Sequence, residues 1–380
     1  MKKQWLAVFG DRSITIARIA KTKKKKLKIL FLSEHNLTGD PDSEEFYRQN
    51  YAGIKEWLKE QKVPFKKLKL ALASRGLITR VIPFPDLDGQ DLEKLVSYYC
   101  DQYSTLNIQD YIIDYRILNR FQKNGKAMLN VLLAAFPRTR MLRIRTLCHN
   151  LGFKPKIVDL TADCLARFYG HFFAGRKTLR KNQDEADPSD LAIVSLNKGG
   201  AECVVLEKGS FFLFADMELD LDSDVEEFDK TINASKKLES VQELLELAAA
   251  RRTDKTEFEL EDLFVPELKV EELPLEPGFP NEEQTAKGKL EQKLEPLLAT
   301  LTELLSFFAS NHYGEMIHKI YITGEFSKPY IAEIFQDSLG IETVVGFPLE
   351  WKPHFARQTE RLENKWAKYG SLYGLAGFVN

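Results

Sequence analysis

Trp5-Leu6-Ala7-Val8-Phe9-Gly10-Asp11-Arg12-Ser13-Ile14-Thr15-Ile16-Ala17-Arg18-Ile19 reads as two apolar strands joined by a tight turn. Trp5–Phe9 is apolar throughout, Gly10–Ser13 breaks the run, and Ile14–Ile19 alternates with the period of a strand. The lysine-rich stretch Lys21–Lys26 turns the chain into a third strand, Leu27–Leu32. A helix is expected over Ser43–Gln61, with Phe46, Ile54, Trp57 and Leu58 on one face, and a strand at Leu68–Ala73 follows Pro64.

The same order of elements returns later. Leu191–Leu196 is a strand, Asn197-Lys198-Gly199-Gly200 a turn, Glu202–Leu206 a strand, Glu207-Lys208-Gly209 a turn, and Phe211–Ala215 a strand. Helix Leu294–Asn311 then precedes strands Lys319–Thr323 and Glu342–Gly346. In the first copy the late strand is Lys154–Leu160, followed by a helix at Ala162–Ala174. Two copies of a βββ-α-β-α-β-α plan with little sequence in common thus bracket the chain, a structural repeat. Halves of this kind face each other across a cleft, and the first hairpin turn of each points into it.

Each copy carries an insertion. Residues 78–152 read as a compact α+β subdomain: strand Ile78–Ile82, helix Asp88–Tyr103, strands Tyr111–Leu118 and Met128–Ala135, and helix Arg138–Leu151. Residues 216–293 are acidic, with a helical stretch at Val225–Arg251 and a Pro/Glu-rich stretch, Glu257–Glu283, expected to be mobile because it has few apolar residues to bury. The expected organisation is a first half at 1–77 plus 153–180, its insert at 78–152, a second half at 190–215 plus 294–380, and the acidic insert at 216–293. Arg176–Asp190 is the linker between halves.

Composition narrows the class. With 380 residues, 44% hydrophobic and 11% aromatic, the chain has enough apolar material for more than one packed subdomain. Net charge is −2, but residues 1–80 and 120–181 each hold a surplus of roughly ten positive charges, whereas 216–283 has about twenty acids against about seven bases. That segregation suits docking of partners better than nucleic acid, which wants one continuous basic face. Cys100, Cys148, Cys164 and Cys203 stand apart, without CxxC or metal-type spacing, and are expected to be reduced thiols in or near the core. No apolar run reaches the length of a spanning helix and the amino terminus lacks the apolar core of a signal peptide, so the expected location is cytoplasmic.

Several stretches sharpen this plan into a resemblance. Thr79-Arg80-Val81-Ile82-Pro83-Phe84-Pro85-Asp86-Leu87, the acidic helix ending in Asp101-Gln102-Tyr103, and Asp114-Tyr115-Arg116-Ile117-Leu118 form one block. Val131-Leu132-Leu133-Ala134-Ala135-Phe136-Pro137, Leu151–Asp159, and Leu305-Ser306-Phe307-Phe308 ahead of Ile320-Tyr321-Ile322-Thr323-Gly324 extend it. Together they resemble the type IV pilus assembly protein PilM family, over nearly the whole chain except the acidic insert. The resemblance implies an actin-like (ribonuclease H-like) α/β fold of two duplicated lobes. It implies a cytoplasmic scaffold at the inner face of the cytoplasmic membrane, docking the N-terminal tail of a PilN-like membrane protein and reaching PilO and the pilus motor ATPase indirectly; self-association is also open. The tail is expected between the first lobe and its inserted subdomain, with Arg80, Val81, Ile82, Phe84, Tyr115 and Arg116 as candidate wall; the plain alternative for these six is packing within the sheet. Alternatives are an FtsA-like filament-forming division protein, which ends in an amphipathic helix not seen at Phe378-Val379-Asn380, and a kinase of the same superfamily.

The family binds ATP between its lobes, so the resemblance also locates a nucleotide site. It places an acid for the Mg²⁺ water shell where Val8 stands in the first hairpin and where Ser195 stands in the second, with Asn197 in place of a glycine. The turns themselves remain: Gly10, Asp11, Arg12 and Ser13 in the first, Asn197, Lys198, Gly199 and Gly200 in the second, with Asp11 as a displaced carboxylate. The third loop reads Gly324-Glu325-Phe326, where Glu325 and Phe326 bring bulk and charge to a place that needs close backbone approach. Phosphoryl transfer requires a metal to neutralise charge on the phosphates. The expectation is therefore a non-catalytic member with no metal and no cofactor; binding of ATP with Mg²⁺ is the alternative.

Two further features are expected to be structural, and a third stays open. His312 and His318 fit no common zinc spacing. Gly370, Gly374 and Gly377 mark a closing helix packed tightly on the sheet of the second half. Arg138, Arg140, Arg143 and Arg145 open one helix and could pair with the acidic insert or a ligand.

Overall fold

The computed structural model describes residues 3–21, 27–63, 68–103, 107–173, 189–233, 282–348, 351–356, 359 and 365–377. Most of Lys21–Lys26, most of Arg176–Asp190, all but the end of Glu257–Glu283, and the part of Val225–Arg251 beyond residue 233 lie outside them. The chain divides into two compact units, Met1–Asp220 with Pro296–Asn380, and Leu221–Glu295.

In the first unit, β1 (Lys3–Phe9), β2 (Ser13–Lys21) and β3 (Leu27–Asn36) form the first meander. After α1 (Glu45–Glu60) comes β4 (Leu68–Leu72). The insert consists of β5 (Ile78–Pro85), α2 (Gly89–Tyr103), a 3₁₀ turn, β6 (Tyr111–Lys123), β7 (Lys126–Pro137) and α3 (Arg138–Asn150). β8 (Ile157–Leu160) and α4 (Thr161–His171) return to the first half. The second half holds β9 (Leu191–Asn197), β10 (Gly200–Glu207) and β11 (Ser210–Met217).

The second unit contains a helix over 222–233, α5, and the start of α6 (Glu282–Asn311), within which the unit boundary falls. Val225, Phe228, Leu290 and Leu294 are among its buried residues, and Lys289 pairs with Glu227 at 2.7 Å. The first unit then resumes with β12 (Lys319–Gly324), α7 (Pro329–Leu339), β13 (Glu342–Val345), β14 (His354–Phe355) and α8 (Gly370–Ala376).

The repeat is visible in the topology. The six-stranded sheet runs β14-β3-β2-β1-β4-β8 and the five-stranded sheet β11-β10-β9-β12-β13. In each, the meander is antiparallel and the two later strands add in parallel beside its first strand. β9 is buried along nearly its whole length, which is why Leu191-Ala192-Ile193-Val194 is a continuous apolar run rather than an alternating one. β14 departs from the repeat: His354 and Phe355, from the second half's end of the chain, pair with Lys28 and Ile29 at the edge of the first sheet. Two residues without alternation give no periodic signal.

The third sheet, order β5-β7-β6, is the insert. Its face toward α2 carries a separate small core of Ile82, Phe84, Leu92, Val96, Cys100, Leu129, Val131 and Leu133.

The two halves meet where α4 and α8 cross. A Cβ placed on Gly374 would lie 1.9 Å from the carbonyl oxygen of Cys164, so backbone runs against backbone there. The closing helix therefore packs on α4 and on β1 and β4 of the first half, rather than mainly on the sheet of the second half as expected, and glycine permits the close approach to α4. Around the crossing Phe168, Tyr169, Phe347, Trp351 and Tyr373 stack largely edge to face, and the Tyr169 hydroxyl donates to the Gly346 carbonyl at 2.7 Å.

Candidate functional site

The cleft between the halves is lined by Val8, Gly10, Asp11 and Ser13 from the first hairpin, by Asn197, Lys198 and Gly200 from the second, and by Glu325 from the third loop. The open space amounts to about 60 Å³, room for a few waters and far below the roughly 300–1,000 Å³ of small-molecule sites. The two turns touch each other: a Cβ on Gly199 would meet Arg12 Cγ at 3.1 Å and Asp11 Cβ at 3.2 Å.

Side chains fill and bridge the rest. Arg140, from the first turn of α3, pairs with Asp11, and both are largely buried. The displaced carboxylate is thereby held by a guanidinium from the insert's last helix, 129 positions away in sequence. Burial pushes the Asp11 carboxyl above the usual range while Arg140 pulls it back. Arg75, after β4, reaches Asp42 at 2.8 Å and, across the cleft, Glu218 at 3.1 Å; the Gly76 N–H donates to Asp216 at 2.9 Å. Lys368 pairs with Glu34 at 2.7 Å and with Glu325 at 3.0 Å. Arg12 lies 3.9 Å from Asp220.

Glu202, on β10, makes the most buried of these links. Its carboxyl accepts the Ser74 N–H at 2.7 Å and the Thr161 hydroxyl at 2.5 Å, so a side chain of the second half fastens two points of the first. Burial drives its pKa up to about 7 against the opposing hydrogen bonds. Between the unfolded value near 4.5 and about 7 the folded state holds a proton that the unfolded state has lost. Stability therefore falls as pH rises through that window, and the full cost, about 3 kcal/mol by the size of the shift, applies above it. Glu202→Gln is expected to flatten this part of the slope in urea unfolding compared at pH 5 and pH 8; an unchanged slope would show that Glu202 ionises freely.

Ser195 is buried and accepts from the Asn197 side-chain amide at 2.9 Å. Gly324 has φ +98°, and a Cβ there would sit 2.3 Å from the Leu196 carbonyl, so the third loop needs its glycine. Phe326, expected to crowd that loop, is instead turned into the core, its N–H donating to the Leu196 carbonyl at 3.1 Å. Arg138 bonds the Gln109 and Tyr111 carbonyls and Arg143 the Asp42 carbonyl. His312 stacks on Phe308 with ring centres 4.0 Å apart, 3.2 Å from Glu207. Among the described residues, no group of three or more His, Cys, Asp or Glu is placed to hold a metal.

A second concavity, of about 340 Å³, lies between the insert's sheet and the edge of the first half. Strand alternation decides who lines it. In the β5-β7-β6 register Thr79 faces Ala134 and Asp114, and Val81 faces Leu132 and Arg116, all on the side away from α2. Leu77, Thr79, Ile112, Asp114, Arg116, Leu132, Ala134 and Phe136 form one wall; Val158, Asp159, Leu160 and Asp163 form the other.

Of the six candidate wall residues, Tyr115 borders the groove, but by alternation its ring shares the face of Leu133 and packs with the core under α2; Arg116 lines the groove with its side chain. Val81 packs against the main core beside it. Ile82 and Phe84 are buried under α2, and Arg80 shares their side of the strand by alternation. The odd-even assignment of a strand's faces was the missing information.

Across the groove floor Arg116 binds Asp163 at 2.6 Å, and Arg167 binds Asp163 at 2.9 Å and also Asp159. Burial raises the Asp163 pKa against the pull of both arginines. β8 is the edge strand of its sheet, and Ile157 and Val158 are 47% and 46% exposed.

This duplicated pair of sheets, with crossing helices between them and an α+β insert in the first half, is the actin-like fold. A solved "PilM-PilN type IV pilus biogenesis complex" is similar with a TM-score of 0.67 at 16% identity, over 98% of this chain and 97% of that one. Weaker likenesses are a Bacteroides thetaiotaomicron protein with an actin-like ATPase fold and unknown function (TM-score 0.45, 10% identity, 99% and 96% of the two chains) and the ethanolamine utilization protein EutJ from Carboxydothermus hydrogenoformans (0.42, 10%, 99% and 89%). No curated protein matches the chain. The model of the type IV pilus assembly protein PilM family matches residues 8–209, more than half of the sequence. The chain belongs to that family.

Proposed function

We propose that this protein is a non-catalytic scaffold of the type IV pilus assembly platform, docking the N-terminal tail of a PilN-like inner-membrane protein in the groove between the insert and β8. Through that partner it would reach PilO and the motor ATPase, and sit at the cytoplasmic face of the inner membrane. The observation carrying this reading is an apolar groove beside an unpaired strand edge, in a member of the PilM family. An extended peptide gains main-chain hydrogen bonds from such an edge and specificity from pockets for its alternate side chains. No helix among the described residues is long and apolar enough to cross a membrane, which agrees with attachment through a partner.

The non-catalytic reading rests on side-chain chemistry. Val8 and Ser195 occupy the positions where the family's metal-shell acids belong, and other acids of the cleft are engaged: Asp11 by Arg140, Glu202 by Ser74 and Thr161, Glu325 by Lys368. A transferring phosphoryl group needs a carboxylate free to place a metal beside it, and these three are already committed.

Val158→Arg, at a half-exposed position on the groove wall, is expected to weaken binding of the partner's N-terminal peptide at least tenfold while leaving the melting temperature unchanged. Fluorescence polarisation with the labelled peptide measures this. Equal affinity for both proteins would remove the groove from the account.

A further inference from the structure

The groove does not stop at Val158. On the far side of that residue and of Met141 lies another concavity, of about 400 Å³, floored by Leu70, Ile144, Cys148, Phe153 and Pro155. Met141 and Val158 belong to both, so the two compartments are continuous along β8. Their charges differ. The first contains three carboxylates, Asp114, Asp159 and Asp163, against Arg116 and Arg167. The second has no acid in its lining; its rim is Arg145, His149 and Lys154.

Arg145 and Lys154 are exposed, and neither forms an ion pair among the described residues, unlike Arg116, Arg140 and Arg167 nearby. Cations standing unpaired over an apolar floor favour a ligand that brings both a carboxylate and an apolar side chain. The edge of β8 sets the form of that ligand. Lys156 turns its N–H inward to the Leu68 carbonyl at 3.0 Å. In a parallel pair alternate residues face opposite ways, so Ile157 and Asp159 present their backbone groups outward.

We propose that the docked tail continues as an added strand along β8 into this second compartment, where an acidic residue next to an apolar one is gripped by Arg145 and Lys154. The inference rests on the docking reading above and adds the chemistry of the occupant: an extended segment with a carboxylate at the end that lies toward α3. The charge difference between compartments also fixes which way round the segment lies, since reversing it would put the carboxylate beside Asp114.

The test is binding of the partner's N-terminal peptide to the full chain and to the Arg145→Glu/Lys154→Glu double variant, at low and at high salt. Both side chains are exposed, so the variant is expected to melt with the wild type. The expected result is an affinity about tenfold lower for the variant at low salt, with the difference shrinking as salt screens the pair. Arg145→Lys should retain wild-type affinity. If the double variant binds the peptide as well as or better than the wild type while Val158→Arg still blocks it, the second compartment is not used and only this inference fails. If the wild type does not bind the peptide at all, this inference falls together with the docking reading.

Discussion

Gly374→Val is expected to yield no stably folded protein. The added Cβ would lie 1.9 Å from the Cys164 carbonyl oxygen and 2.5 Å from its carbon, distances that real side chains do not reach. The obstacle is backbone of α4, not the end of a flexible side chain, and close-packed interiors relieve such overlap only by moving whole elements. α4 and α8 join the two halves, so separating them also opens the aromatic cluster around Phe168 and Tyr373. A loss above about 4 kcal/mol is expected, at the extreme of single substitutions. Urea unfolding and soluble yield measure it. Gly288→Ala, where no heavy atom lies within 4 Å of the added Cβ, is the control and should be neutral or stabilising, since alanine favours helix. A Gly374→Val protein melting within a few degrees of wild type would mean that the crossing is not as close as described.

The second large effect is expected at Arg140. Its removal leaves the Asp11 carboxylate, largely buried, without the guanidinium paired to it, with only the more remote Arg75 opposing its charge. Breaking one side of a buried pair costs about 3–5 kcal/mol. The sign of the pH dependence follows from burial, which already raises the Asp11 pKa. Without Arg140 that pKa rises further, the folded state retains a proton the unfolded state gives up, and stability is lost as pH climbs. Arg140→Ala should therefore be more damaging at pH 8 than at pH 5. Adding Asp11→Ala should recover much of the loss, because removing both charges leaves none uncompensated. A pH-independent loss below about 1 kcal/mol would show that Asp11 does not depend on the arginine.

The fold was largely legible because the repeat is written in hydrophobic pattern. Trp5–Phe9 with Ile14–Ile19 and Leu191–Leu196 with Glu202–Leu206 are apolar runs broken by short glycine-bearing turns, and each pair forms the hairpin expected of it. β14 was not legible, since two residues added to a distant edge leave no period. α6 begins at Glu282, ahead of the expected Leu294, because its opening turns are mostly polar and their buried stripe is only Ala286 and Leu290, too sparse to read as a period. Pro296 also stands inside it where a boundary would be expected.

The site was only half legible. The hairpin turns were visible as turns, and Val8 and Ser195 as non-acidic residues on the strands leading into them. That Arg140 would take Asp11, or Glu202 cross to Ser74 and Thr161, depends on contacts between residues far apart in sequence, for which a single chain shows no sign. For the groove, β5 and β6 were named, and both border the concavity. The side of β5 was not named, because Ile82 and Phe84 have the same apolar character whether they face α2 or a ligand.

Calorimetric titration of the partner's N-terminal peptide into the full chain, with and without Mg²⁺ and ATP, tests the account most directly. It predicts one docking isotherm of unchanged affinity and no heat from nucleotide alone, since the cleft is bridged by its own side chains. Micromolar, Mg²⁺-dependent ATP binding that alters the affinity for the peptide would contradict it.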